Sequence, residues 1–261
     1  MILSEIKLWT KMFFKSVGCC KLIIIIYIFV LSAIIFLSIL LNFSYSYSRN
    51  QGYCLADCFM FLSNPSFWGL FIIPLSIFLI FHLLKYDNNF NFISRFRSKS
   101  SIWFQQVFKS FVISFCLTIY SVLLTLFIGS FLSDNLINWN IENSIYFLVN
   151  KTTTDNYTFL EVVLITFFSM LIIMITINLV AVFLQWVTNN STISWLYVIL
   201  ISGLNLFGGK YCIISGRAIV GYREMQNIIY SVLGMVLSVI LIIIVIILGK
   251  VFSKRKEFLY E

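Results

Sequence analysis

From Val162 through Gly209 the sequence contains not one Lys, Arg, Asp or Glu. Residues 22–48, 110–133 and 225–249 are equally bare. An apolar run of about 20 residues crosses the hydrocarbon core of a bilayer as a helix. Lipid admits only helices or closed barrels, because backbone N–H and C=O groups must be satisfied inside the crossing structure. These runs are continuous rather than alternating, which selects helices. Only 11% of residues are charged and 61% are hydrophobic, where soluble domains carry about 25% charged residues. The expected fold class is an all-α polytopic membrane protein. It has six transmembrane helices, an N-terminal interfacial amphipathic helix, and a broken re-entrant outer segment between spans five and six.

The whole chain reads as one transmembrane domain, with spans expected at about 22–41, 66–84, 107–132, 159–184, 193–207 and 228–249. Pro74 predicts a kink in the second span. Charge sets the orientation. Lys7, Lys11, Lys15, Lys21, Lys85, Arg95, Arg97, Lys99, Lys109, Lys250, Lys254, Arg255 and Lys256 fall on one side of six spans, and Arg49, Lys151, Lys210, Arg217 and Arg223 on the other. Positive residues mark the cytoplasmic side, so both termini are expected inside. The net charge of +8 is accounted for by anchoring beside anionic lipid. No segment is long enough for a folded basic face that would hold nucleic acid.

Residues 1–21 repeat Lys at positions 7, 11 and 15, with Ile6, Trp9, Met12, Phe13 and Val17 on the opposite side of a helical wheel. This predicts a helix lying in the cytoplasmic interface; simple anchoring of the first span explains it equally well. Between spans two and three, residues 85–106 form a basic-aromatic loop, in which Phe92, Ile93 and Phe96 fall at near-helical spacing. A greasy, basic surface on the cytoplasmic side suits docking of a soluble partner. The outer loop after the first span carries Cys54 and Cys58, whose spacing allows either a strained disulfide or two free thiols. After the fifth span, GGKYCIISGRAIVGYREMQNI mixes four glycines with Lys210, Arg217 and Arg223. This predicts two short broken helices dipping back into the outer half of the bilayer. Glu161 is expected to cap the fourth span, and His82 to sit at the inner end of the second.

The spans hold Asn178, Gln185 and scattered Ser and Thr but no ionisable relay of the kind used by ion-driven transporters. No phosphate-binding glycine loop, paired carboxylates or metal-ligand spacing appears. With no engine in the spans, energy is expected from a separate ATPase, and no enzyme activity or cofactor is expected on this chain.

The amphipathic N-terminal helix, the Arg95–Trp103 passage and the Gly-containing outer segment together resemble the permease subunits of type-2 ABC exporters. The resemblance runs over nearly the whole chain, with Gly208-Gly209 standing where that family often has a Pro-containing turn. It implies a cytoplasmic ABC ATPase dimer holding ATP and Mg, and a second permease, identical or paralogous. It places Phe92, Arg95, Phe96, Arg97, Lys99 and Trp103 at the ATPase, with Lys7, Trp9, Lys11, Phe13 and Lys15 on the interfacial helix beside them. The turn Gln185–Thr192 would be a second contact. Cargo is expected to be amphipathic, a hydrophobic or antimicrobial peptide or a lipid-like molecule. A stand-alone immunity or scaffold protein that binds a peptide without an ATPase is the alternative.

Overall fold

The computed structural model describes residues 2–64, 67–85, 96, 98–207 and 218–255. It is all-helical, with 83% helix. In chain order the helices are α1 (Ile2–Cys19), α2 (Lys21–Ser48), α3 (Leu55–Leu62), α4 (Trp68–Leu84), α5 (Lys99–Leu132), α6 (Ile145–Asn150), α7 (Phe159–Thr188), α8 (Ser191–Phe207), α9 (Tyr222–Gln226) and α10 (Ile228–Arg255). Four of them, α2, α5, α7 and α10, are long and apolar enough to cross a membrane, and α4 and α8 are shorter apolar helices.

The helices overrun the expected limits because polar residues at their ends stay helical. α2 keeps the Tyr- and Ser-rich NFSYSYS expected in a loop. α5 starts at Lys99 rather than near Val107, since the Ser98 hydroxyl accepts from the Ser101 N–H at 3.2 Å and caps it there. The expected turn at Gln185–Thr192 contracts to Asn189-Asn190. Asn189 takes the left-handed conformation (φ 57°) that ends α7, and the Asn190 side chain accepts from the Thr192 and Ile193 N–H groups to begin α8. Pro74 is the second residue of the regular part of α4, directly after a π-helical segment, Trp68–Ile72. A proline cannot donate to the preceding turn, and the wider π turn absorbs that missing bond. At the start of α7, Thr158 and Glu161 exchange hydrogen bonds of 3.4 and 2.8 Å, a capping box that seats Glu161 where expected.

α7 is the hub, packed on α5, α8, α10 and α4. Apart from Glu5 in α1, every Asp and Glu among the described residues lies at the end where α3, α6 and α9 gather (Asp57, Asp134, Glu142, Asp155, Glu161 and Glu224). We call this the cap end. The opposite, basic end carries Lys21, Lys85, Lys99, Lys250 and Lys254.

At the basic end Trp103 is completely buried and donates its indole N–H to the Ile246 carbonyl at 3.1 Å. Its ring meets Trp186 and Phe183 edge-on. It lies so close on Gly249 that a Cβ there would stand 2.0 Å from the indole. α5, α7 and α10 are thus locked by one tryptophan and one glycine. Gly249→Ala is expected to destabilise the bundle by roughly 1–3 kcal/mol, the usual cost of overpacking, read as an earlier thermal unfolding in detergent. An unchanged midpoint would mean that Trp103 is not held there.

Candidate functional site

Two places concentrate chemistry. The first is the basic end, where the sequence puts partner contacts. α1 lies across it, packing on α2, α4 and α5 together. Lys7, Lys11 and Lys15 are exposed, and Met12 and Ser16 are buried. Phe13 and Val17 lie against the core, and Trp9 faces Phe108 of α5 at 6.1 Å between ring centres. The apolar side of α1 therefore lies against the bundle. Cys20, at the break between α1 and α2, points its thiol at the His82 carbonyl, 3.8 Å away.

Of the six residues expected at a partner, Phe92, Arg95 and Arg97 lie outside the described residues. Phe96 is half-buried against the core, and Lys99 is half-buried in the first turn of α5. Trp103 needs correction. It is a packing residue with no exposed surface, because α5 begins before it and turns it inward onto Gly249. Lys109 is likewise wholly buried, ten residues into α5, and does not belong to a loop surface.

Next to α1's footing, the end of α4 and the α7–α8 corner enclose a cleft of about 520 Å³. His82 and Lys85 line it from α4, Asn189 and Thr192 from the corner, with Phe78 and Trp195 forming its deeper wall. The His82 ring lies 4.9 Å from that of Phe78.

The second place is the cap end, and there the sequence misses the central residue. Asp57, in the first turn of α3, has no exposed surface. Four donors converge on its carboxylate. Oδ2 accepts from the Cys54 N–H at 3.0 Å and its thiol at 3.2 Å, and Oδ1 accepts from the Trp139 indole at 3.0 Å and the Tyr222 hydroxyl at 2.9 Å. Trp139 in turn stacks on Tyr146 of α6, 4.8 Å between centres, and meets Tyr157 and Tyr222 edge-on. Asn150 and Tyr157 donate to the carbonyls of Tyr222 and Met225 at 2.8 and 2.6 Å. One carboxylate thereby holds α3, the loop after α5, α6 and α9 together.

Burial pushes the Asp57 carboxyl above the ordinary carboxylate range, and the bonds from Trp139, Cys54 and Tyr222 pull it back only in part. The Tyr222 hydroxyl is driven well above its usual value by burial and by the neighbouring Asp57 charge. Burial also pushes the Cys58 thiol up to about 11, and raises that of Cys54. Thiols held protonated in this way are poor nucleophiles.

The disulfide considered between Cys54 and Cys58 is not formed. Both are free, because Cys54 sits in extended conformation ahead of α3 with its sulfur on Asp57, and the Cys58 sulfur pairs with the Tyr53 hydroxyl at 3.2 Å. Lys210 and Arg217 lie outside the described residues, and Arg223 is exposed on α9. Among the described residues no group of three or more His, Cys, Asp and Glu could hold a metal ion.

No family model matches the chain, and neither a curated protein nor a solved structure matches it.

Two outcomes follow from the Asp57 node. Asp57→Ala strands the Cys54 N–H and the Trp139 indole, at roughly 1–3 kcal/mol for each buried orphan. Cys54 and Cys58, expected to label slowly with maleimide in the parent because both are buried, should then label readily; labelling as slow as in the parent would show that the node does not hold the cap. The second outcome concerns pH. The folded carboxyl binds its proton more tightly than an unfolded Asp, near 3.9. Its contribution to stability is therefore full below about pH 4 and lost as pH rises through the higher folded pKa. Melts of Asp57→Asn against the parent should remove this part of the slope.

Proposed function

We propose that the chain is the non-catalytic, membrane-spanning subunit of an ATP-driven exporter, with ATP hydrolysis on a separate cytoplasmic ATPase. Its cargo is an amphipathic molecule, a hydrophobic or antimicrobial peptide or a lipid-like compound. In this reading the basic end faces the cytoplasm with both termini, and the cap end faces outward.

The observation that carries the reading is the seat of α1. A helix with three exposed lysines on one side packs on α2, α4 and α5 at once, beside the end of α4 from which residues 86–97 depart. A partner that grips α1 and the 86–97 connection has a rigid hold on three membrane helices. Binding of ATP to that partner would shift the permease between two arrangements through the difference in grip. Phe92, Arg95, Phe96, Arg97 and Lys99 remain the proposed contacts, with Lys7, Lys11 and Lys15. A second permease, alike or different, completes the complex.

Other features favour this reading. Where α5 and α7 meet at mid-length, the described polar groups include Ser114, Thr118 and Asn178, none of which is ionisable. Helices α4 and α8 bring the proposed spans to six; α8, with 17 residues, reaches about 26 Å at 1.5 Å per residue, close to the hydrocarbon thickness. A re-entrant outer segment is favoured by the hydrogen bond from Ser169 to the Ala218 carbonyl, ten residues along α7 from its cap end, and by the burial of Ala218, Ile219 and Val220. For amphipathic cargo, a lateral groove of about 500 Å³ opens between α2 and α5, lined by Phe29, Phe36, Leu124, Phe127 and Phe131.

Arg95→Glu with Arg97→Glu is expected to abolish co-purification of an ATP-binding protein while leaving membrane insertion intact. Undiminished association would refute the coupling role. Translocation by the pure chain in liposomes, on an ion gradient alone, would overturn the proposal as a whole.

A further inference from the structure

The cleft at the basic end has a chemistry that the transport reading does not use. Its mouth is positive. Lys85 is exposed there beside His82, the positive end of the 17-residue helix α8, capped by Asn190, faces the same place, and among the described residues none that lines the cleft is acidic. Its depth is apolar. Phe78, 49% exposed, and Trp195, tied by its indole to the Pro74 carbonyl, form a wall one to two turns further along α4 and α8. Leu196 and Leu200 continue that apolar surface up the outside of α8.

We infer that this cleft binds an anionic phospholipid. The headgroup phosphate lies against Lys85, His82 and the start of α8, and the first methylenes of an acyl chain lie on Phe78 and Trp195. A neutral amphiphile would leave the charged mouth unmatched, and a free phosphate would leave the aromatic wall unused. An acidic segment of a protein partner would fill the mouth alone. The inference rests on the bilayer part of the proposed function and not on the ATPase.

The test is native mass spectrometry of the purified full chain in mild detergent, titrated with dioleoyl phosphatidylglycerol, dioleoyl phosphatidylcholine or inorganic phosphate. The parent should hold one phosphatidylglycerol in preference to phosphatidylcholine. Lys85→Glu should weaken that binding about tenfold, as expected for reversing a charge at a headgroup. Thr192→Trp, which fills the cleft and leaves its charge alone, should weaken it too. Lys21→Glu, an exposed lysine at the same end outside the cleft, should not. Equal affinity in the parent, Lys85→Glu and Thr192→Trp would overturn the site, and so would an equal loss in Lys21→Glu. Displacement of the lipid by millimolar phosphate would reassign the cleft to a free anion. A chain that stays dispersed without detergent would instead sink the bilayer reading itself, which keeps the two failures apart.

Discussion

The contact between α5 and α7 is what the rest of the bundle is built around, and it is made largely of small hydroxyl side chains. Ser110, Thr118 and Thr125 each return their hydroxyl to the carbonyl four residues earlier in α5, so none needs a partner across the interface. Two bonds do cross it, from the Asn178 side chain to the Ser114 hydroxyl at 2.9 Å and from the Trp186 indole to the Gln106 side-chain oxygen. In hydrocarbon, helices are not driven together by expulsion of water, and association depends on how closely their backbones approach. Small residues that satisfy themselves permit that approach. The same device recurs with Gly249, which lets α10 lie against Trp103.

The two ends of this bundle are finished differently. At the cap end, aromatic rings and the Asp57 carboxylate close the structure, and the linked segments are far apart in the chain, 82 residues from Asp57 to Trp139 and 165 to Tyr222. At the basic end, Trp103 locks α5, α7 and α10, but α4 and α8 diverge around a cleft and α1 lies across the opening. Among the described residues the carboxylates other than Glu5 gather at the closed end, and most lysines, Lys151 apart, gather at the open one. An open, lysine-rich end suits exchange with anionic or acidic partners, whereas the closed end suits mechanical anchorage.

Much of this was legible along the chain, since helical class, the long apolar helices and the lysine face of α1 depend on local periodicity. Glu161 could also be read, because a Thr three residues ahead of an acid at a helix start is a local signal. Asp57 could not. In the string LADCF it is one acid in an outer loop, and nothing nearby announces that Trp139 and Tyr222 will surround it. Trp103 misled for the opposite reason. It follows a basic run and so reads as surface, but Ser98 starts the helix early and rotates the ring onto Gly249, a residue 146 positions away. The spacing of the thiols at 54 and 58 left open a strained bridge or two free thiols, and the outcome was decided by neighbours, Asp57 for one and Tyr53 for the other.

A buried carboxylate in a bundle of this kind invites a role in proton coupling, and the geometry of Asp57 argues against it. A relay residue needs a second partner to move to and a path for water. Both oxygens of Asp57 are occupied, two of its donors are fixed N–H groups that cannot turn away, and the side chain has no exposed surface. Releasing it would mean separating α3 from Trp139 and α9, which is the opening of the whole cap. The carboxylate therefore acts as a rivet. With the cap end riveted, the basic end, where a cleft lies between α4 and the α7–α8 corner, is the more open of the two.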